Sequence, residues 1–321
     1  MKAALSALFL AWGTVGFAAP GLAETWPTKA VTLVVPAPPG GNIDIAARLL
    51  GGKLQAIFGK PFVIENKPGA GGMIAAEYAR TATGDDKLLF TANFLLFSPL
   101  IVNQPAYDWR KDFIPVSSLT FTPMVLEVHP GVAVKTVAEL IDLARKTNGD
   151  IAMAAPGVGT SNHLISEMLQ RKTGTKWITV QYRGNAPATA DTVSGQTKFQ
   201  FDQISSSLAQ INSGALRPLA VTARTRVASL PHVPTLEEAG FPGLEAETFT
   251  GVFVAARTPP EVVTVLAKAI KEVAHDNDIV RRLDDLGARV EIMQTTAFQT
   301  YLDALYETWA PVIKEAGIQS N

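Results

Sequence analysis

The sequence predicts an α/β protein of two lobes, and three observations carry that prediction. Short β-rich runs alternate with helical patterns almost to the C-terminus. Several runs are apolar at consecutive positions, as strands covered on both faces must be. One unit, an apolar strand entering a Gly-rich turn and then a helix, occurs twice, at residues 36–44 and 154–163. Neither copy carries a cationic side chain. Each reads as an anion cradle made of backbone, in which free N–H groups and the positive end of the helix point at one spot.

Taken in order, the chain opens with Met1-Lys2, a mostly apolar stretch over 3–19, and Pro20-Gly21-Leu22-Ala23. This is the pattern of a secretory signal peptide, with Gly21 and Ala23 as the small residues of a cleavage site and Glu24 as the first mature residue. A transmembrane anchor competes, but the stretch is short and broken by Gly13, Thr14 and Gly16. The 321 residues carry a net charge of -1, which becomes -2 once Lys2 leaves with the segment. Cysteine is absent, so disulfides, thiolate metal sites and a Cys nucleophile are excluded. An exported chain without disulfides draws its stability from a large core, which suits a two-lobed periplasmic protein.

Strands are expected at 31–35, 62–65, 88–92, 124–128, 151–154, 178–182, 198–201, 219–222, 249–254 and 290–293, in largely parallel sheets. Helix starts are marked by capping boxes at Thr136, Thr235, Thr258 and Thr296, each with Glu or Gln three residues on. After Thr258, with Pro259 at the first helical position, Val262, Val265, Leu266, Ala269, Ile270 and Val273 mark the core face of a helix running to about residue 274. Without a linker, the chain must pass between lobes through extended segments, best placed at 123–130 and 247–255. Residues 24–125 and 249–321 then form a discontinuous first lobe and 126–248 the second; one large doubly wound sheet is the alternative.

The first cradle offers Pro39, Gly40, Gly41 and Asn42 as ligand contacts, with Asp44 in the first helical turn. Its glycines could equally serve a tight turn, and Asp44 the helix start. The second offers Gly157, Gly159, Thr160, Ser161 and His163, where the hydroxyls can cap the helix and also donate to a carboxylate. Ser161 and His163 invite a hydrolase reading, but i and i+2 on a helix point to different faces and no G-x-S-x-G elbow is present. Open parallel sheets present ligands at the carboxyl ends of their strands, which adds Tyr182, Gly184 and Asp202, and in the first lobe Thr91, Ala92 and Asn93. Tyr182 could serve packing alone. The loop of Gly69, Gly71 and Gly72 suits close helix–strand packing as well as ligand contact. His129, His163, His232 and His275 lack metal-ligand spacing, and no nucleotide fingerprint occurs, so no cofactor is implied. Mixed charge and a pI near 6.4 argue against nucleic acid.

With these residues laid out, the chain resembles the Bug family, the periplasmic solute receptors of tripartite tricarboxylate transporters. The resemblance rests on Trp26-Pro27-Thr28-Lys29, Pro38-Pro39-Gly40-Gly41 with Asp44 and Arg48, and Glu65-Asn66-Lys67-Pro68-Gly69-Ala70-Gly71-Gly72. It continues through residues 157–163, Tyr182-Arg183-Gly184, Phe201-Asp202, Leu219-Ala220-Val221-Thr222, residues 230–235 and Glu315-Ala316-Gly317-Ile318. It implies a type II periplasmic binding protein, with two α/β lobes, a central cleft and two crossing segments. Such a protein closes on a small carboxylate and delivers it to the membrane permease subunits. The mature chain would be a monomer that does not enter the membrane. An exported hydrolase using Ser161 and His163, and the effector-sensing half of a regulator, are the alternatives.

Overall fold

The structure, a computed structural model, describes residues 26–315, 317 and 318. The expected signal segment and its cleavage point lie outside them. In chain order the elements are β1 (Val31–Val35), α1 (Asn42–Phe58), β2 (Phe62–Asn66), α2 (Met73–Arg80), β3 (Lys87–Ala92), α3 (Phe94–Phe97), α4 (Trp109–Asp112), β4 (Phe113–Val128), α5 (Val137–Lys146), β5 (Ala152–Ala155) and α6 (Ser161–Thr173). They continue with β6 (Ile178–Gln181), α7 (Asn185–Val193), β7 (Phe199–Gln203), α8 (Ile204–Asn212), β8 (Arg217–Val221), β9 (Glu247–Ala255), α9 (Pro260–Lys271), α10 (Asn277–Asp285), β10 (Arg289–Val290) and α11 (Thr295–Glu315).

One strand ties the two halves together. The N-terminal part of β4 lies against β9 in a sheet ordered β2-β1-β3-β9-β4, with β10 also on β4. From Met124 onward the same strand pairs instead with β7 and β8, and β5 and β6 extend this second sheet beyond β7. The change of partner falls between Pro123, opposite Glu247, and Met124, opposite Gln203. The chain returns beside it. Ala246 N–H donates to Thr222 O at 3.1 Å, Thr222 N–H donates to Met124 O at 2.9 Å, and β9 begins at Glu247. The return is thus complete where 247–255 begins, and those residues belong wholly to the first sheet. β1, β2 and β3 run parallel, as do β5, β6 and β7, whereas β4 and β9 are antiparallel to their neighbours, so both sheets are mixed.

The sequence pattern locates only the last third of β4. Residues 113–122 carry Pro115 and polar Ser117, Ser118, Thr120 and Thr122, which break any alternation. Two register shifts, between Pro115 and Ser117 and between Ser118 and Thr120, absorb the proline. The buried hydroxyls find partners: Ser118 Oγ donates to Glu291 O at 2.7 Å, and the Thr120 and Thr250 hydroxyls lie 2.6 Å apart. Helix starts also shift. Thr136 caps α5 through Glu139 N–H, but α9 is capped by Pro259 and Thr296 lies inside α11. At Thr235 the capping box forms in both directions, with Glu238, yet closes a single turn that ends at Gly240 with φ +93°.

The core follows the sheets. Leu50 and Leu54 of α1 and Leu266 and Ile270 of α9 pack on the first sheet, while Phe121, Phe249, Phe253 and Phe298 fill its other side. α11 covers that side with Phe298 and Leu302, carries Pro311 in its last turns, and ends where Glu315 pairs with Arg171 of α6 at 2.8 Å. Gly251 of β9 sits under Phe298. A Cβ there would lie 2.7 Å from the ring and 2.9 Å from the Ser117 carbonyl. Backbone on one side and a buried ring on the other leave no room to yield. Gly251→Ala is therefore expected to destabilise the protein by about 1–3 kcal/mol, read as a lower urea midpoint at unchanged m-value.

Candidate functional site

Both Gly-rich turns join a strand to a helix as expected, and both use part of their own hydrogen-bonding capacity to hold their shape. After β1 the chain turns through Pro36-Ala37-Pro38-Pro39 to Gly40, with φ +84°, and Gly41 caps α1 without help from any side chain. Asp44 is buried and works inward. Its carboxylate accepts from Gly40 N–H at 2.9 Å, Arg48 Nε at 2.8 Å and Asn66 Nδ2 at 2.8 Å, and Asn66 also donates to Ala37 O. Burial pushes the Asp44 carboxyl up, but the Arg48, Gly40 and Asn66 hydrogen bonds outweigh it and hold the group below the usual carboxylate range. Asp44 thereby fixes the loop and occupies one of the N–H groups expected to be free. Those of Asn42 and Ile43 have no acceptor among the described residues.

The second cradle repeats this arrangement with different atoms. Thr160 caps α6 by accepting from His163 N–H and donates its own hydroxyl to Gly157 O at 2.8 Å. Gly159 N–H donates to His163 Nδ1 at 3.2 Å, so the imidazole proton sits on Nε2. Burial alone lowers the His163 pKa to about 4 and keeps the ring neutral. Asn162 pins α6 to the end of β7 through Phe201 O at 2.8 Å. Ser161, 8% exposed, has a hydroxyl with no partner among the described residues, and the N–H groups of Ser161 and Asn162 are likewise unpaired there. Gly159, with φ +75°, packs against Ile101, which a Cβ would meet at 2.7 Å.

At the two chain crossings polar side chains meet. Asn42 Nδ2 reaches Thr122 Oγ1 at 3.4 Å, and its Oδ1 is buried without a partner among the described residues. Gln203 Nε2 reaches Thr248 Oγ1 at 3.4 Å, while its Oε1 accepts from Asn185 Nδ2 at 3.1 Å. Asn185 opens α7 directly after Gly184, whose φ is +112°. Asp202 is 2% exposed and satisfied internally by Asn185, Thr189 Oγ1 at 3.0 Å and Gln203 N–H at 2.8 Å, so its replacement acts first on the loops around it.

Of the remaining expected contacts, Tyr182 and the residues at the end of β3 are engaged within the chain. Tyr182 donates its hydroxyl to Asp191 at 2.7 Å, and burial followed by that carboxylate raises its pKa to about 12. Asn93 uses both ends of its amide on β9, donating to Glu247 O at 2.9 Å and accepting from Phe249 N–H at 2.9 Å. Thr91 and Ala92 are buried in β3 opposite Gly251 and Thr250. Pro39, Gly40 and Gly41 stand exposed at the tip of the first loop. The sequence reading missed Ile101, Thr122, Asn185 and Thr248. Of these only Asn185, following a glycine at a helix start, carried a local signal.

The chain matches the family described as tripartite tricarboxylate transporter family receptor over residues 46–318. It is 30% identical to protein BugT of Bordetella pertussis across 98% of this chain and 97% of that one. Among solved structures, an R. palustris protein with adipate aligns at TM-score 0.85 and 32% identity, covering 92% of this chain and 99% of that one. The periplasmic binding protein BugD aligns at 0.82 and 30%, covering 92% and 100%. MatC from Rhodopseudomonas palustris with bound malate aligns at 0.81 and 29%, covering 90% and 100%. The fold is accordingly the two-lobed α/β fold of periplasmic solute-binding proteins. The chain belongs to the tripartite tricarboxylate transporter receptor family, the family of the Bug proteins.

Proposed function

We propose that this protein is a periplasmic receptor that captures a small organic acid, mono- or dicarboxylate, between its lobes and hands it unchanged to the permease of a tripartite transporter. The observation that carries the reading is the pair of helix starts, α1 and α6, whose first N–H groups have no acceptor among the described residues. Adipate and malate in the related structures support the ligand class. The lobes divide at 24–125 with 249–321, and 126–248, a division supported by the partner change on β4 at Pro123 and Met124. Export to the periplasm and action as a monomer beside the permease belong to the same proposal. No helix among the described residues is long and apolar enough to cross a membrane.

Magnitudes set how the acid is held. One helix end contributes roughly 0.3–1 kcal/mol to an anion and up to about 2 when partly buried. Micromolar affinity needs about 8 kcal/mol. Direct and water-bridged hydrogen bonds in a closed cleft supply the rest, which makes hinge closure at the two crossings part of the mechanism. No Arg lies in either cradle, so cavity length and the far end of the ligand set specificity. The hydrolase alternative loses its base, because His163 Nδ1 is occupied by Gly159 N–H.

A thermal-shift screen of mono- and dicarboxylates including adipate and malate is expected to find an acid that raises the melting temperature; none doing so would refute the ligand class. Ser161→Ala is expected to weaken that acid by about 1.5–3 kcal/mol in calorimetry while changing unfolding free energy by under about 0.5 kcal/mol. Imidazole nitrogen NMR is expected to show His163 neutral and protonated on Nε2 at pH 6. Because the folded pKa lies below the ordinary 6.5, the stability tied to neutral His163 is complete above 6.5 and falls away as pH drops toward about 4, a loss absent from His163→Gln.

A further inference from the structure

Under α7 and α8 lies a carboxyl group that the cradles do not use. Glu127 of β4 has 0% exposure. Its Oε1 accepts from Gln200 Nε2 at 2.7 Å and lies 2.6 Å from Ser207 Oγ, while Oε2 has no partner among the described residues. The same Ser207 Oγ lies 3.4 Å from Asp202 Oδ2. One hydroxyl carries one hydrogen and cannot donate to both acids.

No cation among the described residues relieves the pair. β7 contributes Asp202 as its one titratable residue, and α8 contributes none. α7 holds only Asp191, which is turned to Tyr182, and β8 holds only Arg217, whose guanidinium bonds the carbonyls of Pro130, Val132 and Val134. Two anions one hydroxyl apart, one with a bare buried oxygen, would be costly. One proton arrangement satisfies the geometry. Glu127 Oε1 carries a proton and donates it to Ser207 Oγ; Ser207 donates to Asp202 Oδ2; Gln200 still donates to Oε1; and Oε2 is a neutral carbonyl oxygen. Asp202 then receives donors from Ser207, Thr189, Gln203 N–H and Asn185, a full set for a carboxylate.

We propose that Glu127 is a buried neutral acid and a positioning residue for the ligand site, acting through Ser207 and Asp202 on Asn185 at the start of α7, so that ionising it loosens that rim of the cleft. The link to the cleft rests on the receptor reading; the protonation of Glu127 does not. Burial and the charge of Asp202 raise the Glu127 pKa to about 8, while burial, opposed by its donors, raises that of Asp202 to about 6. Both place the proton on Glu127 at neutral pH. With the folded pKa above the ordinary 4.5, the associated stability is complete below 4.5 and is lost as pH rises through about 8.

The test compares the full chain with Glu127→Gln, which keeps a donor to Ser207 but cannot ionise, and with Ser207→Ala, which breaks the chain of hydrogen bonds. Infrared spectroscopy at pH 7 is expected to show a protonated carboxyl band that disappears through about pH 8 and is missing in Glu127→Gln. The melting temperature is expected to fall from pH 6 to 9 in the native chain and to stay flatter in Glu127→Gln. A band that survives the substitution, or identical slopes, would overturn the protonated acid. With adipate or malate as probe, affinity is expected to weaken roughly tenfold from pH 7 to 9 in the native chain, to stay level in Glu127→Gln, and to be weak at every pH in Ser207→Ala. Level affinity in the native chain across a confirmed deprotonation would overturn the positioning role. Where neither acid binds, the acid found in the thermal-shift screen serves as the probe; a screen without a hit counts against the ligand reading and leaves the infrared and thermal measurements to decide the proton.

Discussion

Backbone pairing along β4 is the constraint from which the rest of the architecture follows. A strand that keeps its hydrogen-bond ladder while exchanging β9 for β7 and β8 joins two sheets without a linker. It also obliges the returning chain to cross at the same place, since Pro123 and Glu247 are neighbours. The crossing therefore brings together residues held by the ladders of both sheets. Thr122, Gln203 and Thr248 owe their positions to ladder register, and they carry the polar groups that Asn42 and Asn185 approach.

Rigidity of the two Gly-rich turns comes from a division of labour between backbone and side chains. Asp44 and His163 lie four residues after Gly40 and Gly159, and each accepts the N–H of its glycine. A carboxylate does this in one half and a neutral imidazole in the other. In both, the side chain holds the turn while the next N–H groups keep no acceptor among the described residues. Such preorganisation lowers the ordering cost of holding a ligand.

Much of the framework was legible in the chain because its signals are local. Apolar runs placed the parallel strands, and the Gly-rich turns marked where β1 and β5 give way to α1 and α6. What escaped depended on distant partners. Residues 113–122 read as irregular because their serines and threonines are matched by Thr250, Glu291 and Met293, far along the chain. Asp44, Asn93 and Asp202 read as ligand contacts by type and place, and only their partners on other elements reveal that they hold loops in position. Thr235 shows the opposite case, a correct local signal that tertiary packing allowed only one turn to obey.

α11 leans on the first sheet at Phe298 and reaches the second half at Arg171. A stiff rod fastened at both ends would brace the halves against each other. Pro311 sits four residues before the far attachment and lacks the N–H that would bond the Glu307 carbonyl, so the rod is weakest beside that attachment. The hydrogen-bond ladder of α11 is thus interrupted next to its contact with α6, away from the aromatic packing at Phe298 beneath β9.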